Sequence, residues 1–365
     1  MNVTAESVRD QISTLLTAWG MEPEPVRTTA EIMVDTDLAG IDSHGISMLM
    51  QYEAMLRQGQ LNLRAKPKVV RESPVTALID ANAGLGHPVS VLAMDLAIGK
   101  AKATGVGVVS VFNSFHFGAA GYYAAMAPRQ GLIGMVSCST RLISVLPTRG
   151  AAPMLGTNPI AFAAPTRRNR PFLLDMSTST VAMNKVKVYD LNHKPMPAGW
   201  FLDEAGRAVL DPALAMDHLL RRSNGGITAL GGTEESGSHK GYGLAMMAQI
   251  LSCTLGGGSF SPLRNKTQKP TDPDNIGHFF MAIDPKAFRP PGEFEDDLDA
   301  AIDALHQTPP SDPAKPVLVA GDPEAEARVR RLREGIPMPD SLAAKIRAIC
   351  DRSGCLYLLR PIGAP

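Results

Sequence analysis

The most reactive-looking stretch of the sequence is GIDSHGISML, which runs from Gly40 to Leu49. It places Ser43 and His44 between two glycines and between two segments of helical periodicity. An imidazole titrates near neutral pH, so His44 could exchange a proton with a substrate oxygen while Ser43 biases its tautomer or relays its proton. Asp42 or Ser43 could equally be the N-cap of the next helix, which would make His44 an ordinary first-turn residue. The local sequence leaves both interpretations open.

A second histidine, His116, lies in NSFHFGAAGYY, directly after a predicted buried strand. In open sheets, ligands bind at the ends of the strands. The small residues from Gly118 to Gly121 would let a cofactor approach the N–H groups at a helix start. They would equally permit tight packing of that helix on a sheet, so this segment also has two interpretations.

Three further segments carry polar side chains where a ligand could bind. LGTNPIAF (155–162) and LLDMSTST (173–180) each put hydroxyl, amide or carboxylate groups at a strand edge, although either one alone is an ordinary turn. SGSHKGYG (236–243) puts a histidine and a lysine at the start of an apolar helix. Because the helix dipole favours an acid at that position, a lysine there favours binding of an anion such as phosphate.

Several better-known sites are missing from the sequence. The nearest match to a dinucleotide-binding glycine loop begins at Gly105, where the glycines follow a helix and open a strand. The Rossmann loop has the reverse order, so Gly105 is predicted to be a helix C-cap. The sequence has no Walker motif, no GxSxG elbow and no HExxH pattern. It therefore predicts neither a serine hydrolase nor a metal site.

The elements that must position these residues follow from the apolar periodicity. Helical periodicity covers the first sixty residues and returns after about residue 290, whereas short apolar segments alternate with turns between them. A strand is predicted at 106–114, and a hairpin is predicted at 199–212 with its turn at 204–206. The order predicts an α/β (α+β) fold in which a discontinuous helical domain from both termini packs on a strand-rich centre. The expected parts are 1–75, 76–290 and 291–365, the last packing back on the first.

Composition excludes several classes of protein. Lys plus Arg (36) balance Asp plus Glu (36), so no basic field favours nucleic acid or an anionic membrane. No apolar run is long enough for a membrane span, and the first twenty residues do not resemble a signal peptide. The four cysteines have no CxxC spacing, which favours reduced thiols. We expect a cytoplasmic protein of enzyme size.

Seven segments together resemble the malate/L-lactate dehydrogenase family of the non-Rossmann type, in the family's order from about residue 30 to 340. They are DLAGIDSHGISMLMQYEAMLRQG, NSFHFGAAGYY, MLGTNPIAFAAP, LLDMSTSTVAMNKV, MPAGWFLDEAGRAVLDP, SHKGYGLAMMAQILS and VAGDPEAEARVRRLREGIPMP. The family includes ureidoglycolate dehydrogenase, 2,3-diketogulonate reductase, sulfolactate dehydrogenase and piperideine-2-carboxylate reductase. The resemblance implies reversible hydride transfer between NAD or NADP and a 2-hydroxy or 2-oxo acid. It also implies a homodimer and a mainly antiparallel cofactor-binding sheet at 76–290, with the helical part at 1–75 contributing catalytic and substrate-binding residues.

The resemblance also implies roles for individual residues. His44, supported by Ser43, is similar to the acid/base residue, and His116 to a second catalytic histidine beside the nicotinamide. The cofactor-binding residues implied are His116, Phe117, Gly118, Ala119, Ala120, Asp175, Met176, Ser177, His239, Lys240, Gly321, Asp322, Pro323 and Glu324. The substrate-binding residues implied are Thr157, Met48, Met183, Asn184 and Arg141.

Two positions depart from the family pattern. Several relatives have an arginine near position 48 that grips the substrate carboxylate, whereas this chain has Ser47, Met48 and Leu49 there. The grip must then come from elsewhere, such as Arg141 or the helix start at Gly45, or the substrate differs. In the imine reductases an aspartate completes a proton relay, and the matching position here is Lys185.

These departures favour a 2-hydroxy acid dehydrogenase over a reductase of cyclic 2-imino acids that uses NADPH. A relative that binds ligand without turnover is a further alternative, but Ser43, His44, His116 and Lys240 are all intact. NAD and NADP are both open. Three arginines, Arg167, Arg168 and Arg170, could meet a 2′-phosphate or could cap a surface turn.

Overall fold

A computed structural model describes residues 1–363 of the chain, and the following bounds refer to that part. The helices are α1 (Ala5–Ala18), α2 (Pro23–Leu38), α3 (Leu49–Arg57), α4 (Gly86–Thr104), α5 (Ala120–Ala124), α6 (Met183–Leu191), α7 (Pro212–Arg221), α8 (Ser238–Gln249), α9 (Ser261–Arg264), α10 (Glu293–His306), α11 (Asp322–Glu334) and α12 (Asp340–Ser353). The strands are β1 (Asn2–Val3), β2 (Lys68–Glu72), β3 (Thr76–Gly84), β4 (Val106–Ser114), β5 (Ile133–Cys138), β6 (Ile160–Ala164), β7 (Phe172–Met176), β8 (Phe201–Leu202), β9 (Gly226–Ile227), β10 (Ile276–Ile283) and β11 (Ile336–Pro337).

A seven-stranded sheet forms the centre of the molecule, in the order β2-β3-β4-β10-β5-β6-β7. Only β3 and β4 run parallel, and every other neighbouring pair is antiparallel, which confirms the predicted mainly antiparallel sheet. Gly105 ends α4 with a positive φ of 87° and opens β4, so the glycine loop is a helix C-cap as predicted.

The strand directions bring several loops to one end of this sheet. Because β10 is antiparallel to both β4 and β5, those two strands end where β10 begins. β6 begins and β7 ends at the same place, since β6 is antiparallel to both of its neighbours. The segments that follow β4, β5 and β7, and the one that precedes β6, therefore meet there. Neighbouring strands lie about 4.8 Å apart, so the exits of β4 and β5 are separated by roughly 10 Å.

The helical part has its own apolar core. Side chains at helical spacing on α1 and α2, including Ile12, Leu16 and Met33, pack with Ile346 and Ile349 of α12. The C-terminal helix thus closes a core that the first sixty residues begin. Helix α11 lies against α2, whereas α10 is attached to the sheet part, because the buried Asp299 accepts backbone hydrogen bonds from the β6–β7 loop at 167–169.

A small unit between β7 and α8 has a third apolar core, built from α6, α7, β8 and β9. The predicted hairpin turn is present, since Gly206 N–H donates to the carbonyl of Asp203. The second arm pairs with β8 over a short stretch, through an antiparallel bridge between Leu202 and Ala208, and β8 pairs on its other side with β9. After the turn, Val209 N–H donates to the carbonyl of Phe201 at 3.0 Å, and the Val209 side chain is buried in this core.

No helix in residues 1–363 is long and apolar enough to cross a membrane.

Candidate active site

The loop that carries Ser43 and His44 joins α2 to a short 3-10 turn at Ile46–Met48. The buried carboxylate of Asp37 accepts a hydrogen bond from Ile46 N–H at 2.9 Å, which closes the loop. Gly45 passes so close to this carboxylate that a Cβ there would overlap it. Burial raises the pKa of Asp37 to about 8, so its proton is retained at neutral pH.

An arginine from the far end of the chain holds the outside of this loop. Arg331 of α11 donates to the carbonyl of Asp37 at 2.6 Å and makes a two-point ion pair with Asp42, with Nη2 at 3.0 Å from Oδ2. Its side chain is only 10% exposed, so the guanidinium is largely shielded from water. The loop is therefore clamped between an acid from α2 and a base from α11.

The structure excludes the capping interpretation of the DSHG segment. The N-cap of the 3-10 turn is Gly45, with no side-chain cap, so neither Asp42 nor Ser43 caps it. The Ser43 hydroxyl instead lies 2.7 Å from Nδ1 of His44, and Nε2 of His44 has no hydrogen-bond partner among the described residues. His44 keeps part of its surface exposed, and burial of the rest lowers its pKa. One nitrogen is thus oriented while the other is open to a ligand.

His116 faces His44 across the site, with ring centroids 5.2 Å apart. Its Nδ1 lies 2.8 Å from the hydroxyl of Tyr52 and accepts a longer hydrogen bond, 3.3 Å, from Gly118 N–H. Since a backbone N–H can only donate, Nδ1 is an acceptor and the neutral ring carries its proton on Nε2. Burial lowers the pKa of His116 well below its usual value. His116 is therefore a neutral hydrogen-bond donor.

Two further histidines line the site and are fully buried. His278 of β10 hydrogen-bonds to Cys138 and Ser114, and Phe117 stacks on its ring with centroids 4.5 Å apart. His87 packs edge-on against Tyr52, and neither of its ring nitrogens has a partner in residues 1–363. Burial lowers the pKa of both rings to about 3. The wall behind His116 is therefore uncharged and closely packed.

Three of the predicted cofactor-binding segments lie together. Asp175, at the end of β7, accepts a hydrogen bond of 2.7 Å from Gly121 N–H, directly after the predicted residues Phe117 to Ala120. Burial, together with the charge of the nearby Glu324, raises the pKa of Asp175 to about 6. The segment before α11 joins the free edge of β7, because Leu173 N–H donates to the carbonyl of Ala320. Gly321 follows with a φ of 102°, which favours glycine, and its ideal Cβ would lie 3.2 Å from Leu173.

The remaining predicted residues are spread around this centre. Thr157 lies beside Thr178, whose hydroxyl donates to the carbonyl of Thr157 at 2.9 Å. Met48 packs partly on the helical core, and Met183 partly on the core of the small unit. Four others have exposed or half-buried positions with no hydrogen bond to His44 or His116 within residues 1–363: Ser177, Asn184, His239 and Lys240.

Arg141 follows β5 and reaches the same end of the sheet. Its Nε donates to the fully buried Asp274 at 3.0 Å, while its two terminal nitrogens make no hydrogen bond within the described part of the chain. Arg264 is largely buried and donates to the carbonyl of Asp274 at 2.5 Å. Two guanidinium groups thus share one carboxylate, which leaves one uncompensated positive charge near Arg141.

Comparison with known proteins agrees with this architecture. The family model described as malate/L-lactate dehydrogenase matches residues 3–347. The chain belongs to this family. It is 38% identical over 342 residues to malate dehydrogenase of Pyrococcus horikoshii, covering 93% of this chain and 92% of that one. It is 34% identical to L-sulfolactate dehydrogenase of Methanocaldococcus jannaschii, covering 97% and 98%. The crystal structure of malate dehydrogenase from Entamoeba histolytica superimposes with a TM-score of 0.91 at 30% identity, covering 98% and 99%.

Membership of the malate/L-lactate dehydrogenase family makes the chain a relative of oxidoreductases that act on small hydroxy acids. Sequence reasoning missed several residues that hold the site: Tyr52, Asp37, Arg331, His87 and His278. Only Tyr52 had a local signal, since it lies on the same predicted helix face as Ile46 and Leu49 yet carries a hydroxyl that a buried position must satisfy. Among the described residues, no cluster of three or more His, Cys, Asp or Glu could hold a metal ion.

Proposed function

We propose that this chain is an NAD(P)-dependent 2-hydroxy acid dehydrogenase that interconverts a malate-like acid and its 2-oxo acid. The observation that carries the proposal is the pair of facing imidazoles at the end of the sheet. His44 is oriented by Ser43 with an open Nε2, and His116 is oriented by Tyr52 and Gly118 and kept neutral by burial. A bound nicotinamide would supply the hydride donor or acceptor at this place.

The two histidines have different tasks in this proposal. His44 takes the proton of the substrate hydroxyl during oxidation and returns it during reduction, through Nε2. Because burial lowers its pKa, His44 is neutral and ready as a base at neutral pH. His44 should therefore titrate below the usual pKa of a histidine. As pH rises through that lower range, the rate of oxidation should increase and the rate of reduction should decrease. His116 donates a hydrogen bond from Nε2 to the substrate and does not change its charge.

The residues around His116 fit a nicotinamide cofactor. The rings behind the site are uncharged, and the backbone from Gly118 to Ala120 is buried but lacks large side chains. Phe117 and Gly118 would lie beside the ring, while Asp175, Met176 and Ser177 would line its path along the end of β7. Gly321, Asp322, Pro323 and Glu324 would cover that path from the free edge of β7. His239 and Lys240 would meet a phosphate from the start of α8.

We infer that Arg141 holds the anionic group of the substrate, in place of an arginine at position 48. The exits of β4 and β5 are roughly 10 Å apart, a span that a three- or four-carbon acid and an arginine side chain can bridge. Asp274 fixes Nε, which leaves the two terminal nitrogens available to bind a carboxylate or sulfonate as a fork. Thr157, Met48, Met183 and Asn184 would complete the substrate site.

The test of the reaction is a panel of acids offered with NADH and with NADPH. The panel contains oxaloacetate, 3-sulfopyruvate, pyruvate and a cyclic 2-imino acid, and the readout is loss of absorbance at the nicotinamide band. We expect turnover with the 2-oxo acids, and faster turnover with those that carry a second anionic group. Turnover with the imino acid alone, or with none of the compounds, would overturn the proposal.

The test of Arg141 is Arg141→Met beside the control Arg222→Met. Arg222 has a comparable exposure, 48% against 45%, and is likewise paired through Nε with an aspartate. We expect the KM for the 2-oxo acid to rise by about tenfold or more in Arg141→Met, because a charge-assisted pair is lost, with kcat reduced less. Equal KM values in the two variants would show that Arg141 does not bind the substrate.

We also propose that the enzyme is a homodimer. Apolar side chains along α8 and the π-helical turn after it remain exposed, among them Ile250 at 51% and Leu255 at 60%. Exposed apolar surface of this kind is typical of a subunit interface. Light scattering should give twice the chain mass, and the pair of changes Ile250→Glu and Leu255→Glu should shift it toward the monomer. A monomeric wild-type protein would contradict this.

A further inference from the structure

A cavity of about 210 Å³ lies at the other end of β7 from Asp175. Its walls come from the end of the β6–β7 loop, from α10 and from the segment before α11, and the residues that matter here are Arg170, Phe172, Ile302, His306, Val319 and Asp322. The cavity is separate from the facing imidazoles, yet it touches the segment at 319–322 that joins the edge of β7.

The three arginines before β7 have different surroundings. Arg167 lies 2.9 Å from the carboxylate of Asp296, and Arg168 lies 2.8 Å from that of Asp303, so both are neutralised by α10. Arg170 makes no ion pair within residues 1–363 and lines the cavity instead. Arg170 is thus the one arginine of the three that makes no direct ion pair in the described structure. The hydrogen bonds of Asp322 with Val319 and His306, together with the charges of His306 and Arg170, lower the pKa of that carboxyl.

The acid in the cavity wall is already engaged. Oδ2 of Asp322 accepts a hydrogen bond from Val319 N–H at 2.8 Å and lies 2.8 Å from Nε2 of His306. These contacts close the turn at the start of α11 and tie it to the end of α10. Asp322 therefore has a structural task, and Arg170 is the cationic donor that faces the cavity.

The length of β7 separates this cavity from the end of the sheet that carries the facing imidazoles. Arg170 and Asp175 are five residues apart, which is about 16 Å in extended chain. The segment Ala320–Gly321 runs beside β7 between them, since Leu173 N–H bonds to the carbonyl of Ala320. A dinucleotide with its nicotinamide beside His116 and its length along β7 would bring its adenosine end to the cavity.

We propose that Arg170 binds the 2′-phosphate of the adenosine ribose, so that the enzyme selects NADP over NAD. This rests on the proposed function, because the placement of the nicotinamide end comes from it. A guanidinium makes two parallel hydrogen bonds to a phosphate, and Arg170 makes no direct ion pair with a carboxylate in the described part of the chain. Arg167 and Arg168 attach α10 to the loop and take no part in the selection.

Isothermal titration of the full chain with two fragments, adenosine 2′,5′-bisphosphate and adenosine 5′-monophosphate, tests this without any turnover. We expect the bisphosphate to bind about tenfold or more tightly than the monophosphate. Arg170→Ala should abolish that preference while leaving the affinity for the monophosphate unchanged. The matched control is Arg168→Ala, which removes the same charge two residues away and should keep the preference.

Equal binding of the two fragments by the wild-type chain would overturn the inference, as would binding of neither. An equal loss of preference in Arg168→Ala and Arg170→Ala would also overturn it, because a general charge effect would then explain the result. Failure of the proposed function has a different signature, namely no oxidation of NADH or NADPH with any acid of the panel. Faster turnover with NADH than with NADPH, together with equal binding of the two adenosine fragments, would contradict the role of Arg170 but not the proposed function.

Discussion

The two halves of the site are held by different kinds of interaction. The His44 loop is closed by charged and titratable groups, Asp37 on one side and Arg331 on the other. His116 is held by a neutral hydroxyl, a backbone N–H and buried rings. The half that would move a proton is thus fastened by electrostatics, and the half that would keep its charge constant is fastened by packing. Stability of the first half should depend on pH and charge, and that of the second on shape.

The largest expected effect is the loss of the proton carrier. His44→Ala should lower kcat by about 10²- to 10⁴-fold, because the substrate oxygen no longer exchanges its proton with a side chain. Fluorescence titration with NADPH and NADH should show nearly unchanged cofactor affinity. Normal turnover in this variant would show that His44 is not the proton carrier. The two halves of the site would then no longer differ in their role in proton transfer.

The clamp on the outside of the loop is tested by Arg331→Met. Removing a shielded guanidinium leaves Asp42 without its partner and the carbonyl of Asp37 without a donor, which should cost roughly 2–3 kcal/mol of unfolding free energy. The control is Arg328→Met on the same helix, whose guanidinium is more exposed than that of Arg331, so its ion pair with Asp35 should contribute less than about 1 kcal/mol. Urea unfolding measures both, and equal losses would contradict the clamp.

The buried acid inside the loop predicts a pH dependence. The pKa of Asp37 is raised to about 8, so between about pH 4 and pH 8 the folded chain holds a proton that the unfolded chain has released. The unfolding free energy should therefore fall as pH rises through that window, by up to about 1.4 kcal/mol per pH unit, and level off above it. Asp37→Asn keeps an acceptor for Ile46 N–H but does not titrate.

The measurement is urea unfolding of the wild-type chain and of Asp37→Asn from pH 5 to pH 8. We expect the stability of the variant relative to the wild type to increase steadily with pH. Parallel pH curves for the two proteins would show that Asp37 is ionised in the folded chain.

The smallest expected effect belongs to the packed half. Tyr52→Phe removes the hydroxyl that contacts His116 but keeps the ring and the hydrogen bond from Gly118. The loss should be about 0.5–1.5 kcal/mol in the barrier, or roughly 2- to 12-fold in kcat/KM, with an unchanged pH profile. A shifted pH profile would show that His116 titrates during the reaction, and the two halves would then not differ in kind.

Much of the framework was predictable from local pattern. The strand at 106–114 is β4 at those same bounds, and the glycine at its start is the helix C-cap that its position predicted. Both follow from nearest-neighbour rules, since β-branched residues favour strands and a left-handed C-cap favours glycine. The predicted hairpin at 199–212 is present over a short stretch, with Leu202 bridged to Ala208. The sequence did not predict that β8 also pairs with β9, which comes more than twenty residues later.

By itself, the sequence determined the chemical groups of this protein and the order of its elements. Side-chain identity sets which protons can move, and apolar periodicity sets which segments become helices or strands. Only the tertiary structure decided which groups meet. Arg331 reaches Asp42 across 289 residues, Tyr52 reaches His116 across 64, and His116 is neutral because it is buried in the folded chain. Such contacts leave no periodic trace in the sequence, because they depend on the packing of whole elements.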